Sequence, residues 1–278
     1  TMADWFPFVK LNKNANLIMY IGRVPVVPMN KDPKDLHYIK KICARSLNPF
    51  VTRKLDKMFE GARIISTSNY VRDSLIEHWK VNSEVINPPV DVDEYRCSAD
   101  DMLVKDNKSI ALVGRFDPWK RLETGIYVAE NINDCKVHIL GGRENDAYLE
   151  FIKSSVERSS VRERIKLYIQ APLPERVNTL KHCGVYLHPA NHEDFGISIV
   201  EAMAAGCIPV VHNSGGPKEF VPKRWRYDSF EECLTEVKEA LHASREERLS
   251  MVRIAEHFHE SYFKEAFRRF IGNSVGKA

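Results

Sequence analysis

Residues 185–221, VYLHPANHEDFGISIVEAMAAGCIPVVHNSGGPKEFV, decide the fold of this chain. The apolar run 185–187 predicts a buried strand that ends in a polar loop. Residues 195–205 predict a helix, because their apolar side chains recur three to four positions apart, and Gly206 is typical of a helix end. Residues 208–211 predict a second strand. Open α/β sheets bind ligands in the loops that follow the carboxyl ends of such strands, so we expect a site here.

Two acids, Glu193 and Glu201, mark the stretch. They are eight positions apart, which on a single helix is about 80° of rotation, so they would not project together. With Glu193 in the loop and Glu201 in the helix, both can border one cleft, where the backbone N–H groups of Phe195, Gly196 and Ile197 face an anion. A carboxylate beside a phosphate is unfavourable, so each Glu is predicted to accept hydrogen bonds from neutral hydroxyls. The pattern indicates a sugar and a ribose on either side of a phosphate; the competing interpretation is two exposed acids at a helix end.

The segment 192–221, HEDFGISIVEAMAAGCIPVVHNSGGPKEFV, resembles the E-x7-E signature of retaining GT-B glycosyltransferases of family four. It is especially similar to mannosyltransferases of lipid-linked oligosaccharide assembly, both dolichol-pathway enzymes and archaeal relatives. The resemblance implies transfer of a hexose from a nucleotide diphosphate sugar to an acceptor hydroxyl, with retention of configuration. It also implies that Glu193 positions the donor sugar and that Glu201 binds the ribose.

The segment 114–120, GRFDPWK, resembles the G-R-x-x-x-x-K loop of the same family, whose Arg and Lys bind the donor diphosphate. The chemistry supports these roles for Arg115 and Lys120. Departure of a nucleoside diphosphate develops negative charge, which two preplaced cations stabilise in the transition state. Arginine offers a forked contact and lysine a point charge. Without the downstream acids, an Arg and a Lys five positions apart in a loop would be interpreted as solvated surface.

Glycines occur at three predicted turns. Gly114 begins the Arg–Lys loop and Gly216 lies near the predicted cleft, so both are predicted to contact the donor. Residues 141–142 are also both glycine. They are interpreted as a strand-end turn that needs an unusual φ, in preference to a phosphate cradle.

The similarity to mannosyltransferases implies GDP-mannose as the donor substrate, with UDP-linked sugars as the alternative, and a glycan or lipid-linked acceptor. Histidines 182, 188 and 192 are separated by six and four positions, which fits no metal-ligand pattern well. GT-B enzymes of this kind resemble one another in needing no catalytic metal. We therefore predict no metal site and no cofactor.

Predicted strands and helices alternate along the chain, which indicates an α/β protein with doubly wound parallel sheets. The resemblance implies a GT-B-like fold of two Rossmann-like domains, the first reduced and the second complete. The predicted parts are an acceptor-side domain, a linker with two prolines, a nucleotide-sugar-binding domain, and a C-terminal helix that crosses back to the first domain: 1–86, 87–107, 108–243 and 244–278.

The first domain departs from the family. It offers three strand candidates, near residues 16–20, 63–68 and 84–86, where a full sheet has about five to six. Related mannosyltransferases carry a histidine in a Tyr-His-Pro-like segment after the first of these strands, whereas residues 20–25 here are YIGRVP. This keeps a second hypothesis open: a nucleotide-sugar-binding module that needs a partner subunit for catalysis.

Composition limits the partners. The net charge of +3 over 278 residues does not indicate nucleic acid. Residues 1–60 hold eleven Lys or Arg against five acids, which predicts either peripheral contact with an anionic membrane or a solvated face. Apolar runs stay shorter than the roughly 18–20 residues of a spanning helix. The six cysteines include no C-x-x-C and indicate core residues in a reducing compartment. We expect a cytoplasmic protein, peripheral at the cytoplasmic membrane face.

Overall fold

The computed structural model describes residues 18–22, 62–98, 100 and 105–275. The chain divides into two compact units, Thr1–Ile86 and Asn87–Ala278. Most of the basic region 1–60, including the segment after residue 22 in which the family histidine is missing, lies outside the described residues. Each unit is described by itself below.

The first unit contains a parallel sheet of three described strands in the order β1-β2-β3. Its elements are β1 Ile18–Ile21, β2 Arg63–Ser66, α1 Asn69–Trp79 and β3 Glu84–Val85. Helix α1 begins after Ser68, whose side chain accepts a hydrogen bond from the Val71 N–H, as an N-cap does. The three strands predicted for this unit are confirmed within the described residues, and residues 16–17, where the first was expected to begin, lie outside them.

The second unit is built on a six-stranded parallel sheet in the order β6-β5-β4-β7-β8-β9. Its strands are β4 Asp106–Val113, β5 Lys136–Gly141, β6 Ile165–Ile169, β7 Cys183–His188, β8 Ile208–His212 and β9 Arg226–Tyr227. Its helices are α2 Val92–Tyr95, α3 Glu123–Asn131, α4 Asp146–Arg158, α5 Leu173–His182, α6 Ile197–Ala204, α7 Phe230–Leu241, α8 Arg245–Glu256 and α9 Glu260–Val275. From β4 the chain fills one side of the sheet through β6, and β7 then returns to the other side of β4. The loops after β4 and β7 therefore flank the point where the strand order reverses, which is where such sheets bind ligands.

The strands at this point are buried on both faces. Every residue of β7 is buried, and four consecutive residues of β4, from Ser109 to Leu112, are also buried. This explains why residues 110–113 of β4 and 185–187 of β7 are apolar runs with no polar alternation. Helix α6 is apolar on most of its surface because it packs between the sheet and α8. The result is a rigid base for the loops that carry the predicted site residues.

The segment predicted to be an extended linker is 87–107, and the part of it that the structure describes up to residue 98 packs into the second unit. Helix α2 lies in it, and Val90, Val92 and Tyr95 belong to the main hydrophobic core of that unit. The Cys97 N–H donates to the Ala204 carbonyl at the end of α6. Two prolines favour an extended start, but the apolar side chains that follow gain more from burial.

Two further predictions concern composition. The five cysteines among the described residues are buried, as expected of small core side chains, and Cys43 lies outside them. Within the same residues, no helix has both the length and the apolar character needed to cross a membrane.

Candidate functional site

The loop after β4 presents a lysine from a short helical turn. Pro118–Lys120 is a single 3-10 turn, begun by Asp117, whose Oδ1 accepts the Trp119 N–H at 2.9 Å. Arg121 ends the turn in the left-handed region, with φ of 49°. This sharp exit directs the chain into α3 and leaves Lys120 at the carboxyl end of the sheet.

Lys120 pairs with Glu193, the first of the two predicted acids. The Nζ of Lys120 donates to Oε2 of Glu193, and the two side chains are only 22% and 18% exposed. A pair shielded from water to this extent interacts more strongly than one on the open surface. The structure thus brings together two residues that the sequence placed in separate loops.

His188 is the second partner of Glu193. It is the last residue of β7, is 3% exposed, and its Nε2 lies 3.0 Å from Oε2 of Glu193. Burial lowers the pKa of His188, although Glu193 opposes this. Burial alone would raise the pKa of Glu193, but His188 and Lys120 outweigh it and lower that pKa below its usual range. At neutral pH the pair is therefore a neutral imidazole that donates to a carboxylate.

A buried tyrosine lies behind the histidine. The Tyr186 hydroxyl is 3.4 Å from Nδ1 of His188, 2.8 Å from the Ser198 Oγ and 3.1 Å from the Val113 carbonyl oxygen, which accepts its proton. Burial raises the pKa of Tyr186, so it remains protonated. The network links β4, β7 and α6 directly behind the carboxylate of Glu193. Tyr186 lies in an apolar run, where a tyrosine is ordinarily a core residue, so the sequence alone indicates no role for it.

Arg115 has a different partner. Its Nη1 donates to Oε1 of Glu144, in the loop after β5, at 3.0 Å, and the two side chains are 54% and 46% exposed. Exposed pairs of this kind contribute about 0–1 kcal/mol. The structure therefore does not join Arg115 to the Lys120–Glu193 pair, and its guanidinium can leave Glu144 at little cost.

Helix α6 begins two residues later than predicted, at Ile197. Gly196 adopts the left-handed region with φ of 96°, and a Cβ there would lie 2.5 Å from Cδ1 of Ile199. Among the described residues, no hydrogen bond from the N–H groups of Phe195, Gly196 or Ile197 is found. These amides begin a helix at the switch point, so they remain suited to an anion.

Gly215 and Gly216 have a structural reason to be glycine. A Cβ on Gly215 would lie 2.3 Å from the carbonyl oxygen of Glu193, and one on Gly216 would lie 2.2 Å from that of Asp194. The Gly216 N–H donates to the Glu193 carbonyl at 2.8 Å. The N–H of Gly216 is therefore already engaged, so a contact with the donor would have to come from its other atoms. The donor contact predicted for Gly216 stays a prediction.

A similar close approach explains the glycines near β5. A Cβ on Gly141 would lie 2.0 Å from the Gly114 carbonyl oxygen, while Gly142 has no heavy atom within 4 Å of its Cβ position. Neither glycine has positive φ, so the prediction that this turn needs an unusual φ was wrong. The Gly114 N–H donates to Leu140 at 3.0 Å, in continuation of the sheet. The predicted contact of Gly114 with a donor stays a prediction.

Glu201 lies inside α6, with partners of its own. Its Oε1 is 3.5 Å from Nη2 of Arg176, whose Nε donates to the Tyr95 hydroxyl at 2.8 Å. Burial raises the pKa of Glu201, while the charge of Arg176 and a hydrogen bond with Tyr95 oppose this. The sequence analysis missed Arg176 and Tyr95, because they come from α5 and α2 and share no motif with Glu201.

The histidines do not form a metal centre in the described part of the chain. No group of three or more His, Cys, Asp or Glu residues there has the geometry to hold a metal ion. His188 is engaged by Glu193, and the backbone N–H of His192 donates to Ser214. The expected independence from metal stays a prediction.

A doubly wound parallel sheet, with the Lys120–Glu193 pair at its switch point, defines the class as an α/β protein of the doubly wound type. Solved structures of glycosyltransferases share this fold. Sucrose-phosphate synthase from Thermosynechococcus elongatus matches with a TM-score of 0.73 and 16% identity, over 94% of this chain and 68% of that chain. A glycosyltransferase from Rickettsia africae matches with a TM-score of 0.71 and 14% identity, over 83% and 68%. The predicted GT-B-like α/β fold is confirmed.

Residues 97–224 match the model of the family Glycosyl transferases group 1. Curated relatives bear the name GDP-Man:Man(3)GlcNAc(2)-PP-Dol alpha-1,2-mannosyltransferase. The protein of Xenopus laevis is 30% identical over 170 residues, 56% of this chain and 35% of that protein. That of Dictyostelium discoideum is 26% identical over 227 residues, 74% of this chain and 45% of that protein. The chain thus spans between a third and a half of the length of these relatives.

Proposed function

We propose that this chain is a glycosyltransferase that moves a hexose, mannose in the first instance, from a nucleotide diphosphate sugar to an acceptor hydroxyl with retention of configuration. The observation that carries the proposal is the shielded Lys120–Glu193 pair at the switch point of a glycosyltransferase group 1 domain. It places a cation and a hydroxyl acceptor side by side, as binding of a sugar diphosphate requires.

The charged site residues and the amides at the start of α6 each have a role in this proposal. Arg115 and Lys120 bind the diphosphate, together with the amides of residues 195–197. Glu193 accepts hydrogen bonds from the donor sugar, and Glu201 accepts from the ribose. The weak exposed pair of Arg115 with Glu144 and the free amides support the diphosphate contacts.

The reaction needs little covalent chemistry from the protein. The bond between the anomeric carbon and the diphosphate oxygen breaks, and the acceptor oxygen forms a new bond on the same face. The acceptor proton passes to the departing diphosphate. Lys120 and Arg115 lower the barrier because they meet the charge that develops on this leaving group. No metal or cofactor is part of the proposal.

GDP-mannose is the donor of first choice because the curated relatives are named for it. A UDP-sugar is the alternative, supported by a fold match to an Anabaena protein solved with UDP-glucose, with a TM-score of 0.71 and 16% identity over 93% of this chain and 72% of that chain. The relatives' names also support a glycan acceptor carried on a lipid.

The domain assignment belongs to the same proposal. Residues 108–243 bind the nucleotide sugar, residues 1–86 face the acceptor, and the C-terminal segment 244–278 returns to the first domain. The basic region 1–60 provides peripheral contact with the cytoplasmic face of a membrane, with no nucleic acid involved. In this segment the structure has two helices, α8 and α9, where one was predicted.

The second candidate is a nucleotide-sugar-binding module that needs a partner subunit for catalysis. The absence of the family histidine from residues 20–25 favours it. In that case the donor side works as described and the acceptor side comes from another chain.

Calorimetry with GDP, GDP-mannose, UDP and UDP-glucose tests the donor site. Arg115→Ala and Glu201→Gln are each expected to weaken nucleotide binding, and unchanged affinity in both would remove the role assignments. Incubation of radiolabelled donor with a membrane lipid extract then separates the two candidates. Transfer of label supports the enzyme, whereas binding with neither transfer nor donor hydrolysis supports the module. If neither nucleotide binds, both candidates fail.

A further inference from the structure

We propose that His188 is a positioning residue, which holds one carboxylate oxygen of Glu193 in place while Lys120 turns toward an incoming diphosphate. This inference rests on the proposed function, because it takes Glu193 as the group that contacts the donor sugar. It adds a role that neither motif of the sequence assigns.

The two partners of Glu193 meet the same oxygen. Lys120 Nζ donates to Oε2 of Glu193, and His188 Nε2 lies 3.0 Å from the same oxygen. Within the described residues, no hydrogen bond to Oε1 is found. The carboxylate therefore has one oxygen anchored to the protein and one available to accept from a sugar hydroxyl.

The anchor itself cannot turn freely. His188 ends a fully buried strand, and its ring stacks on that of Tyr186 with centroids 6.1 Å apart and planes 27° apart. A carboxylate only accepts hydrogen bonds, so Nε2 must carry the proton. Nδ1 is then unprotonated and lies 3.4 Å from the Tyr186 hydroxyl, whose proton is donated to the Val113 carbonyl oxygen. Tyr186 is fixed in turn by Ser198 and Val113. Rotation of the imidazole would break the hydrogen bond from Nε2 to Glu193 and the stacking on Tyr186.

The reason for a second partner follows from the demands on Lys120. In this structure Lys120 pairs with Glu193, but in the proposed reaction Lys120 also contacts the diphosphate. If Lys120 were the sole partner, each shift toward phosphate would leave a shielded carboxylate unpaired, which is costly. The N–H of His188 removes this conflict, since it satisfies Oε2 without carrying a charge that competes for the phosphate.

Three variants at one position test the geometry. The amide nitrogen of His188→Gln reaches the place of Nε2, that of His188→Asn reaches only the place of Nδ1, and His188→Leu removes both donors. Calorimetry gives the dissociation constants of GDP and GDP-mannose, or of UDP and UDP-glucose if the wild type binds those. The quantity compared is the ratio of the two constants, because effects on the diphosphate contacts cancel in it.

We expect His188→Leu and His188→Asn to weaken binding of the sugar nucleotide relative to the nucleotide by about tenfold or more, the range for a lost hydrogen bond to a charged group. We expect His188→Gln to stay within about threefold of the wild type. In a Glu193→Gln background, His188→Leu should cause no further shift, because it acts through Glu193. The matched control is His138→Gln, a histidine of β5 that also contacts a tyrosine hydroxyl, Tyr168, at 3.1 Å. It should leave the ratio unchanged.

The results that overturn the inference differ from those that overturn the proposed function. A wild type that binds neither nucleotide pair removes both. A wild type that binds, together with a His188→Leu variant of unchanged circular dichroism and unchanged ratio, removes only the positioning role. Equal shifts for Gln and Leu, or additive shifts with Glu193→Gln, also remove it, since these would indicate a general packing effect.

Discussion

Lys120 and Glu193 are 73 positions apart in the chain, and their side chains form an ion pair in which Nζ donates to Oε2. The pair joins the loop after β4 to the loop after β7, across the point where the strand order reverses. The ion pair therefore ties these two loops to each other.

Removal of one partner of this pair should destabilise the protein. Lys120→Met leaves Glu193 with His188 alone, and we expect the free energy of unfolding to fall by about 1–3 kcal/mol. This is less than for a fully buried pair, because about a fifth of each side chain is exposed. Urea denaturation provides the measurement. The variant Lys120→Met/Glu193→Gln should regain part of the loss, and equal stability of wild type and Lys120→Met would contradict the prediction.

Arg115 should matter for binding and not for stability. Its pair with Glu144 is exposed, so Arg115→Ala should change the free energy of unfolding by no more than about 0.5 kcal/mol. The same variant should weaken binding of the nucleotide diphosphate about 10- to 100-fold, as expected for lost charge-assisted hydrogen bonds. Calorimetry measures the affinity. Glu144→Gln is the matched control, since it breaks the same pair but keeps the guanidinium; a loss of affinity equal to that of Arg115→Ala would be the contrary result.

Substitution by alanine should have different effects at Gly216 and at Gly142. Gly216→Ala places a Cβ 2.2 Å from the Asp194 carbonyl oxygen, so the loops must separate, and we expect a loss of about 1–3 kcal/mol together with weaker donor binding. Gly142→Ala meets no atom within 4 Å and serves as the control, with little change in either quantity. Thermal unfolding monitored by circular dichroism, followed by calorimetry, compares the two. Equal behaviour would show that the loop after β8 yields without cost.

His138 should make stability depend on pH. Burial, with the charges of His182 and Lys166, lowers the pKa of His138 to about 4, and its buried Nε2 has no hydrogen-bond partner among the described residues. As pH falls, His138 takes up a proton in the unfolded chain first, near pH 6.5. The contribution of His138 to stability is therefore full above that pH. The contribution is lost as pH falls from about 6.5 to 4.

The size of this effect is about 1–2 kcal/mol once partial exposure of the ring is taken into account. Urea titrations at pH 7 and pH 4.5 measure it, and His138→Gln should show a smaller decrease than the wild type over this interval. The carboxylates with lowered pKa, such as Asp106 at about 2, act mainly below pH 4.5 and so leave the comparison clear. An identical pH dependence in both proteins would count against the assignment.

The elements of the sheet could be predicted from sequence because buried parallel strands are short apolar runs and their helices have periodic apolar faces. The same pattern also predicted that the site residues lie in loops at the carboxyl ends of the strands. Which cation meets which acid did not. Arg115 and Lys120 are five positions apart in one loop, and the 3-10 turn with Arg121 in the left-handed region directs only Lys120 to Glu193.

The reasons for the glycines were also beyond the sequence. A glycine in a loop signals positive φ, a close ligand or a close backbone equally well. Gly215 has positive φ and a close backbone, whereas Gly216 and Gly141 have only the close backbone. The core contacts of Tyr95 escaped prediction for a related reason, since two preceding prolines gave a stronger local signal than one aromatic residue whose partners lie about eighty positions away.

The hydrogen bond from Gly216 to the Glu193 carbonyl has a consequence for the exchange of parts between related proteins. The loop after β7 carries the acid, and the loop after β8 supplies the backbone against which that acid's own main chain rests. If either loop alone were replaced, its backbone would no longer match the backbone of the other loop. Donor preference should therefore be inherited only when both loops and the strand β8 between them are transferred together.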